Sequence, residues 1–288
     1  MFSDEKMMLE LRLNLLNKYV DKFVITEANY FHNGKEKKLN FDIKDYPNFK
    51  DKIEYIVVNE QPPNLILDNN KENLEEKKIL NSIRRDNFQR EQLNNYLKGV
   101  NENDIIIIND LDEIPNFEEV DLHKIENEIL IFKQKMFYYK FNLCYENFVW
   151  FGSKATKKKN FKSPQWLRNI KNKKYPYWRI DTYFSKKKYN NIKFIENGGW
   201  HFSYLKDPKG VENKLKSIRH HIEYDLNPLG EEKISNLIKN RKLIYDYKAD
   251  QRTKNKFENN ETLKILDEKK LPEYIRKNKN YYKDWLES

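Results

Sequence analysis

Asp110 and Asp112 are carboxylates one residue apart, followed at once by Glu113, in the stretch NDIIIINDLDEIPN that spans residues 103–116. Carboxylates spaced i and i+2 across a turn can converge on one hard cation. Oxygen ligands of this kind suit Mg²⁺ or Mn²⁺, which keep some waters and share substrate phosphates. The same acids can instead close a turn and open a helix, since negative charge is favourable in a helix's first turn. What precedes them bears on the choice. Ile105 to Ile108 form an unbroken apolar run, which reads as a strand covered on both faces, as in the middle of a parallel sheet. Ligands of open parallel sheets bind beyond the carboxyl ends of the strands, and the acids fall at such an end.

Other elements must position that turn. Residues 5–20 carry a wide apolar stripe (Met8, Leu9, Leu11, Leu13, Leu15, Leu16, Val20) at helical spacing,. Residues 22–29 and 53–58 read as strands, the second closed by Pro62 and Pro63,. Residues 72–98 lack Pro and Gly and read as a long helix that carries Arg84, Arg85 and Arg90 and stops at Gly99,. Helix and strand thus alternate up to residue 109, which predicts an α/β protein with a mostly parallel central sheet flanked by helices,. After Pro115 the texture changes. EILIFKQKMFYYKFNLCYENFVWFGSKAT alternates aromatic and polar residues and predicts one or two antiparallel strands,. A short helix is expected over 164–172, a tight turn into a strand over 198–205, and helices over 208–224 and 229–246. No repeat or linker is visible. One domain over residues 1–250 is expected, followed by a charged, partly helical extension over 251–288.

Composition narrows the function classes. Hydrophobic residues make up 38% of the chain and charged ones 35%, so the core must lean on large aromatics,. A net charge of +10 brings polyanionic partners into consideration,. The lysines come in short runs such as Lys157-Lys158-Lys159 and Lys186-Lys187-Lys188, with no long basic tail. That pattern suits a solvated surface, and a nucleic-acid groove stands as a competing reading. A metal-dependent phosphoryl-transfer enzyme is a second competitor, because paired aspartates serve that chemistry too. The single cysteine, Cys144, allows no internal disulfide, which fits a reducing compartment,. No segment resembles a signal peptide or a membrane span.

Three motifs in order carry a resemblance. MMLELRLNLLNKYVDKFVITEANYFHNGKEKKLNF, NDIIIINDLDEIP and GGWHFSYL together resemble glycosyltransferase family 17. That family is typified by the β-1,4-mannosyl-glycoprotein 4-β-N-acetylglucosaminyltransferase that adds a bisecting GlcNAc to N-glycans. The resemblance runs over about residues 2–220. It implies a GT-A-like nucleotide-sugar fold, a Mn²⁺ or Mg²⁺ cofactor, a UDP-sugar donor (UDP-GlcNAc), a glycan, glycolipid or glycoprotein acceptor, and inversion at the transferred carbon.

Carried over residue by residue, the resemblance puts Asp110 and Asp112 on the metal. Glu27, Asn29, Arg90, Asp110, Trp200 and His201 go to the donor, with His201 also a candidate metal ligand. Glu27 and Asn29 match the family's E-S-N, with Ala28 in place of its Ser. His221 and Glu223 match an H-x-E segment, and Glu113, Asp181 and Glu223 are the candidate bases for the acceptor hydroxyl,. Two departures stand out. Only MFSDE occupies the place of the family's first hydrophobic strand, which implies a truncated start, another segment paired there, or impaired activity and stability,. The membrane anchor of Golgi members is absent too, which suggests a soluble, cytoplasmic enzyme of bacterial or viral type.

Overall fold

The structure, a computed structural model, describes residues 1–67, 73–218, 221–246, 257 and 261–288. Helix α1 (Lys6–Leu16) buries Met8, Leu9, Leu11, Leu13 and Leu16, as its apolar stripe requires,. Strand β1 (Phe23–Ala28) pairs in parallel with β2 (Ile53–Val58), Phe23 opposite Ile53 and Ala28 opposite Val58. The backbone N–H of Phe2 donates to the Thr26 carbonyl at 2.8 Å, and Gln89 Nε2 donates to the same oxygen at 3.1 Å. The short segment before α1 therefore takes up part of the pairing on β1's far side, with Phe2 buried beneath it.

Helix α2 (Leu74–Glu91) and the single turn α3 (Asn94–Leu97) replace one long helix, and residues 68–72 lie outside the described chain. The residues α2 buries are Ser82, Asp86, Gln89 and Arg90. A buried polar stripe on a helix is uncommon unless its groups are paired or face a site.

Strand β3 (Ile105–Ile108) corrects the sequence reading. Among the described residues it pairs only with β8 (Lys154–Lys157), antiparallel, and lies at the edge of a four-stranded sheet that continues through β5 (Ile129–Phe132) to β9 (Ile192–Ile195). The isoleucine run reports two-sided cover, and that part holds. Ile106 and Ile108 pack in one core cluster with Leu167 and Ile170, while Ile105 and Ile107 pack against another. Cover on both faces does not set the direction of the neighbouring strand, which depends on how the connections run.

Strand β4 (Glu113–Pro115) begins five residues after Ile108 and is the edge of a second sheet. Its order from that edge is β4, β10 (Gly199–Ser203), β6 (Gln134–Tyr138), β7 (Leu143–Trp150) and β11 (Lys264–Ile265). Among the described residues only the β1–β2, β5–β9 and β6–β10 pairs are parallel. The fold is a mixed α/β arrangement, and the expected mostly parallel central sheet is replaced by three smaller sheets in which antiparallel pairs predominate. The β6–β7 pair is the antiparallel hairpin that the aromatic–polar alternation predicts.

The remaining helices are short. α4 (Pro164–Asn169) is capped by Ser163 Oγ, which accepts from the Trp166 N–H, and has Pro164 in its first turn,. α5 (Asp181–Phe184) is one turn. α6 (Pro208–Ser217) and α7 (His221–Leu226) divide the helix expected over 208–224, and residues 219–220 between them lie outside the described chain. α8 (Gly230–Lys239) ends short of the expected residue 246. Arg241 takes a positive φ, and Leu243, Ile244 and Tyr245 run into the core instead. From residue 261 the chain supplies β11 and α9 (Glu273–Lys277), and Leu266, Leu271, Ile275 and Tyr282 pack in the main core. Among the described residues no helix is long and apolar enough to cross a membrane.

Candidate active site

The acid turn spans the gap between the edge strands of two sheets, because β3 ends at Ile108 and β4 starts at Glu113. Its backbone is closed by the Glu113 N–H donating to the Asp110 carbonyl at 3.1 Å, and by the Asp110 N–H donating to Glu113 Oε2 at 2.8 Å. Beneath it, Arg12 of α1 donates to the Glu113 carbonyl at 2.7 Å, to the Asp110 carbonyl and to Asn109 Oδ1. Burial lowers the Arg12 guanidinium to about 10, and the three neighbouring acids oppose that shift. A cation on an otherwise apolar helix face is thus explained by the turn it braces.

A cavity of about 710 Å³ opens above the turn, lined among others by Asp86, Arg90, Asp110, Asp112, Glu113, Trp150, Arg168, His201 and Lys214. Both oxygens of Asp110 are held. Arg90 Nη2 lies 3.1 Å from Oδ1 and Arg168 Nη2 lies 2.8 Å from Oδ2. Arg90 also makes a two-point pair with Asp86 one helical turn back, at 3.2 Å on each side, and donates to Gln165 Oε1 at 2.6 Å. Burial alone would raise the Asp110 carboxyl, but Arg168 and Arg90 outweigh it and hold the group well below the usual carboxylate range.

Glu113 is fully buried. It accepts from both ends of the Arg168 guanidinium, at 2.7 and 2.9 Å, and from Trp150 Nε1 at 2.6 Å. Gly152 makes that possible, because a Cβ there would stand 2.1 Å from the Glu113 carboxyl carbon,.

Asp112 has a different setting. Oδ1 faces His201 Nε2 at 3.5 Å, and Oδ2 accepts from Lys214 Nζ at 3.2 Å. Burial would raise this carboxyl as well, and Lys214 and His201 bring it below the usual range. The His201 ring stacks on Trp150, centroids 4.6 Å apart, and its Nδ1 is buried without a hydrogen-bond partner. Strand register fixes this meeting, since His201 sits opposite Glu113 in the β4–β10 pair. Gly199 allows that pair to close. Its φ is +122°, and a Cβ there would fall 2.1 Å from the Ile114 carbonyl oxygen,.

The residues expected on the metal, on the donor and as the base separate into two groups. Arg90, Asp110, Asp112, Glu113 and His201 all line the cavity. Trp200, Glu27, Asn29, Asp181 and Glu223 do not. Trp200 is the strand neighbour of His201 and points to the other sheet face, where it packs against the main core and donates from Nε1 to the Lys270 carbonyl at 3.2 Å,. Glu27 is fully buried. It accepts from Lys37 Nζ, the Asn40 and Phe41 N–H groups and the Tyr55 hydroxyl, and so ties the loop after β1 to β2. The Asn29 N–H donates to the Val58 carbonyl at 3.2 Å, and the cavity-lining stretch Tyr30–Asn33 begins one residue later. Asp181 is exposed and clamped by Arg179 and Lys188, and Glu223 accepts from the Tyr245 hydroxyl at 2.7 Å.

Arg168, Trp150, Lys214, Asp86 and Arg12 are the residues that sequence reasoning missed. Arg12 within LELRLNLL and the i,i+4 pair of Asp86 with Arg90 were visible signals,. Arg168 and Lys214 reach the acids across 58 and 102 residues, and nothing local announces them.

A mixed α/β fold in which paired acids at a strand-to-strand turn line a cavity defines a candidate enzyme cleft,. The family model of glycosyltransferase family 17 matches residues 1–287, so the chain belongs to that family, that of the β-1,4-mannosyl-glycoprotein N-acetylglucosaminyltransferase, and is a glycosyltransferase. No curated protein and no solved structure matches it. Membership decides for glycosyl transfer over the phosphoryl-transfer and nucleic-acid readings.

Proposed function

We propose that the enzyme transfers N-acetylglucosamine from UDP-GlcNAc to a glycan acceptor with inversion, in a GT-A-like cleft whose charged wall is the acid turn. The observation that carries this reading is the meeting of Asp112, His201 and Lys214 beside the Arg90–Asp110–Arg168 network in one cavity.

Asp110 is ill suited to a cation, because two arginines occupy its two oxygens. Asp112 and His201 are better suited. They face one another through Oδ1 and Nε2 at 3.5 Å, long for a hydrogen bond,. Among the described residues no three His, Cys, Asp or Glu side chains form a set that could hold a metal unaided. Two protein ligands completed by donor phosphate and water are a common arrangement for Mg²⁺ and Mn²⁺. Bound there, the ion would supply Lewis-acid stabilisation of the diphosphate.

The chain's own residues divide the rest of the work. Lys214 supplies a positive charge on the cavity wall, where the leaving UDP gains negative charge as the bond to the sugar breaks,. Arg90 and Arg168 hold the Asp110 end of the turn, so that Asp112 is presented without reorganisation. Glu113 is the one candidate base that lines the cavity, and with both oxygens accepting from Arg168 it acts as a positioning residue.

The test is donor binding by calorimetry, with and without Mn²⁺, together with analysis of product linkage. UDP-GlcNAc should bind more tightly in Mn²⁺ than in EDTA, and a β-linked product should form. Absence of UDP-sugar binding under both conditions would overturn the donor assignment.

A further inference from the structure

Among the described residues, exposed large apolar side chains gather in the segment 171–188, KNKKYPYWRIDTYFSKKK. Its large apolar side chains face solvent: Phe184 is 85% exposed, Trp178 82%, Ile180 71%, Tyr183 68% and Tyr177 67%. Contiguous exposed apolar groups of this size mark an interaction site. The segment is nonetheless held from within. The Lys171 N–H donates to the Lys187 carbonyl at 2.8 Å and closes its base. Asp181 accepts from Arg179 Nε at 2.7 Å and Lys188 Nζ at 2.6 Å, Arg179 lies over the buried Tyr175 ring, and the Tyr183 hydroxyl donates to the Tyr177 carbonyl. The inner groups are satisfied while the aromatic ends project outward.

Charge identifies the occupant. The segment has seven basic residues and one acid, and that acid, Asp181, is spent on the internal clamp. The outward face is apolar at its tip and cationic around it. We propose that this face docks the enzyme onto an anionic membrane surface. Trp and Tyr settle at the headgroup level, Phe and Ile enter the acyl boundary, and surrounding lysines meet anionic headgroups while their stems lie along the apolar layer. A sugar is a poorer match, since Phe184 and Ile180 offer it no hydrogen bonds. A single nucleic-acid strand is poorer too. Strands are taken in grooves with flat stacking faces, whereas these side chains protrude and one of them is aliphatic. Lys171 follows the cavity-lining Asn169 by two residues, so the docked face and the cavity share the segment around α4. The proposal does not depend on the donor or metal assignment.

Vesicle flotation of the full chain tests it, with phosphatidylcholine alone and with phosphatidylglycerol mixed into phosphatidylcholine. The expected result is partitioning onto the mixed vesicles that weakens with salt and is far lower on phosphatidylcholine. W178S/F184S and, separately, K173Q/K174Q/K186Q/K187Q should each lower partitioning about tenfold or more with the melting temperature unchanged. The lysine variant decides alone if the aromatic one melts early. No binding to the mixed vesicles, equal binding by wild type and variants, or binding of single-stranded RNA in place of vesicles would overturn the proposal.

Discussion

Arg168 Nη2 stands 2.8 Å from Asp110 Oδ2 and 2.7 Å from Glu113 Oε1, so one guanidinium on α4 ties both ends of the acid turn. The turn therefore cannot flex without breaking a buried ion pair, and α4 cannot move without dragging the turn. Rigidity at the cavity wall is the consequence, and it makes several outcomes predictable.

Arg168→Ala should be severely destabilising. It leaves Glu113 fully buried and unpaired and frees one side of Asp110, a situation that costs about 3–5 kcal/mol,. Arg168→Lys should recover only part of this, because an ammonium cannot make the two-point contact. Urea unfolding of both variants measures the difference, and equal stability of wild type and Arg168→Ala would contradict the network.

The same network sets an acid limit. Asp110 and Asp112 both have carboxyls held below the ordinary range, burial opposing and the neighbouring cations prevailing. A depressed folded-state pKa contributes stability that is complete above the unfolded value, about 4, and is lost as pH falls through the folded one. Stability should hold down to about pH 4 and decline below it. Asp110→Asn should flatten that decline in a series of denaturant titrations, at lower stability throughout.

Lys154 should give the opposite slope. Its ammonium is buried beneath α4 and donates to the Arg168 and Ile170 carbonyls, and burial lowers it to about 7, Arg168 adding to the effect. A base lowered in the folded state is destabilising below its folded pKa. That penalty disappears as pH rises toward the unfolded value of about 10.4. Stability should rise between about pH 7 and 10. Lys154→Met should remove the rise, as seen by comparing melting temperatures of the two proteins across that range.

Asp112→Asn separates binding from folding. The variant should fold normally, lose about tenfold in UDP-GlcNAc affinity in Mn²⁺, and bind as the wild type does in EDTA. Equal affinities in Mn²⁺ would remove Asp112 from the cation site.

The two tryptophans should behave differently. Trp200→Ala should lower stability by about 3 kcal/mol, the low end for a large-to-small core change because the ring is only partly buried, and leave donor affinity within twofold,. Trp150→Phe should keep most of the stacking on His201 but lose the bond to Glu113, and lower donor affinity. Calorimetry on both variants discriminates: a binding loss confined to Trp200→Ala would reverse the assignment.

Much of the local structure was legible in the chain. The apolar stripe of α1, the strands at Phe23–Ala28 and Ile53–Val58, the β6–β7 alternation and the acid turn after four isoleucines all follow from periodicity and turn chemistry,. Even the choice between Trp200 and His201 was available, because adjacent strand residues face opposite ways and only one can enter a cavity,.

The family also followed from the sequence, through three ordered motifs. Tertiary structure alone decided that the isoleucine strand is an edge with an antiparallel neighbour, that the acid turn bridges two sheets, and that Arg168 and Lys214 are its counter-charges. The physical reason is that periodicity reports how much of a residue is covered, not what covers it. Ion pairs between residues 58 and 102 positions apart exist only after the chain has closed on itself, and no local pattern encodes them.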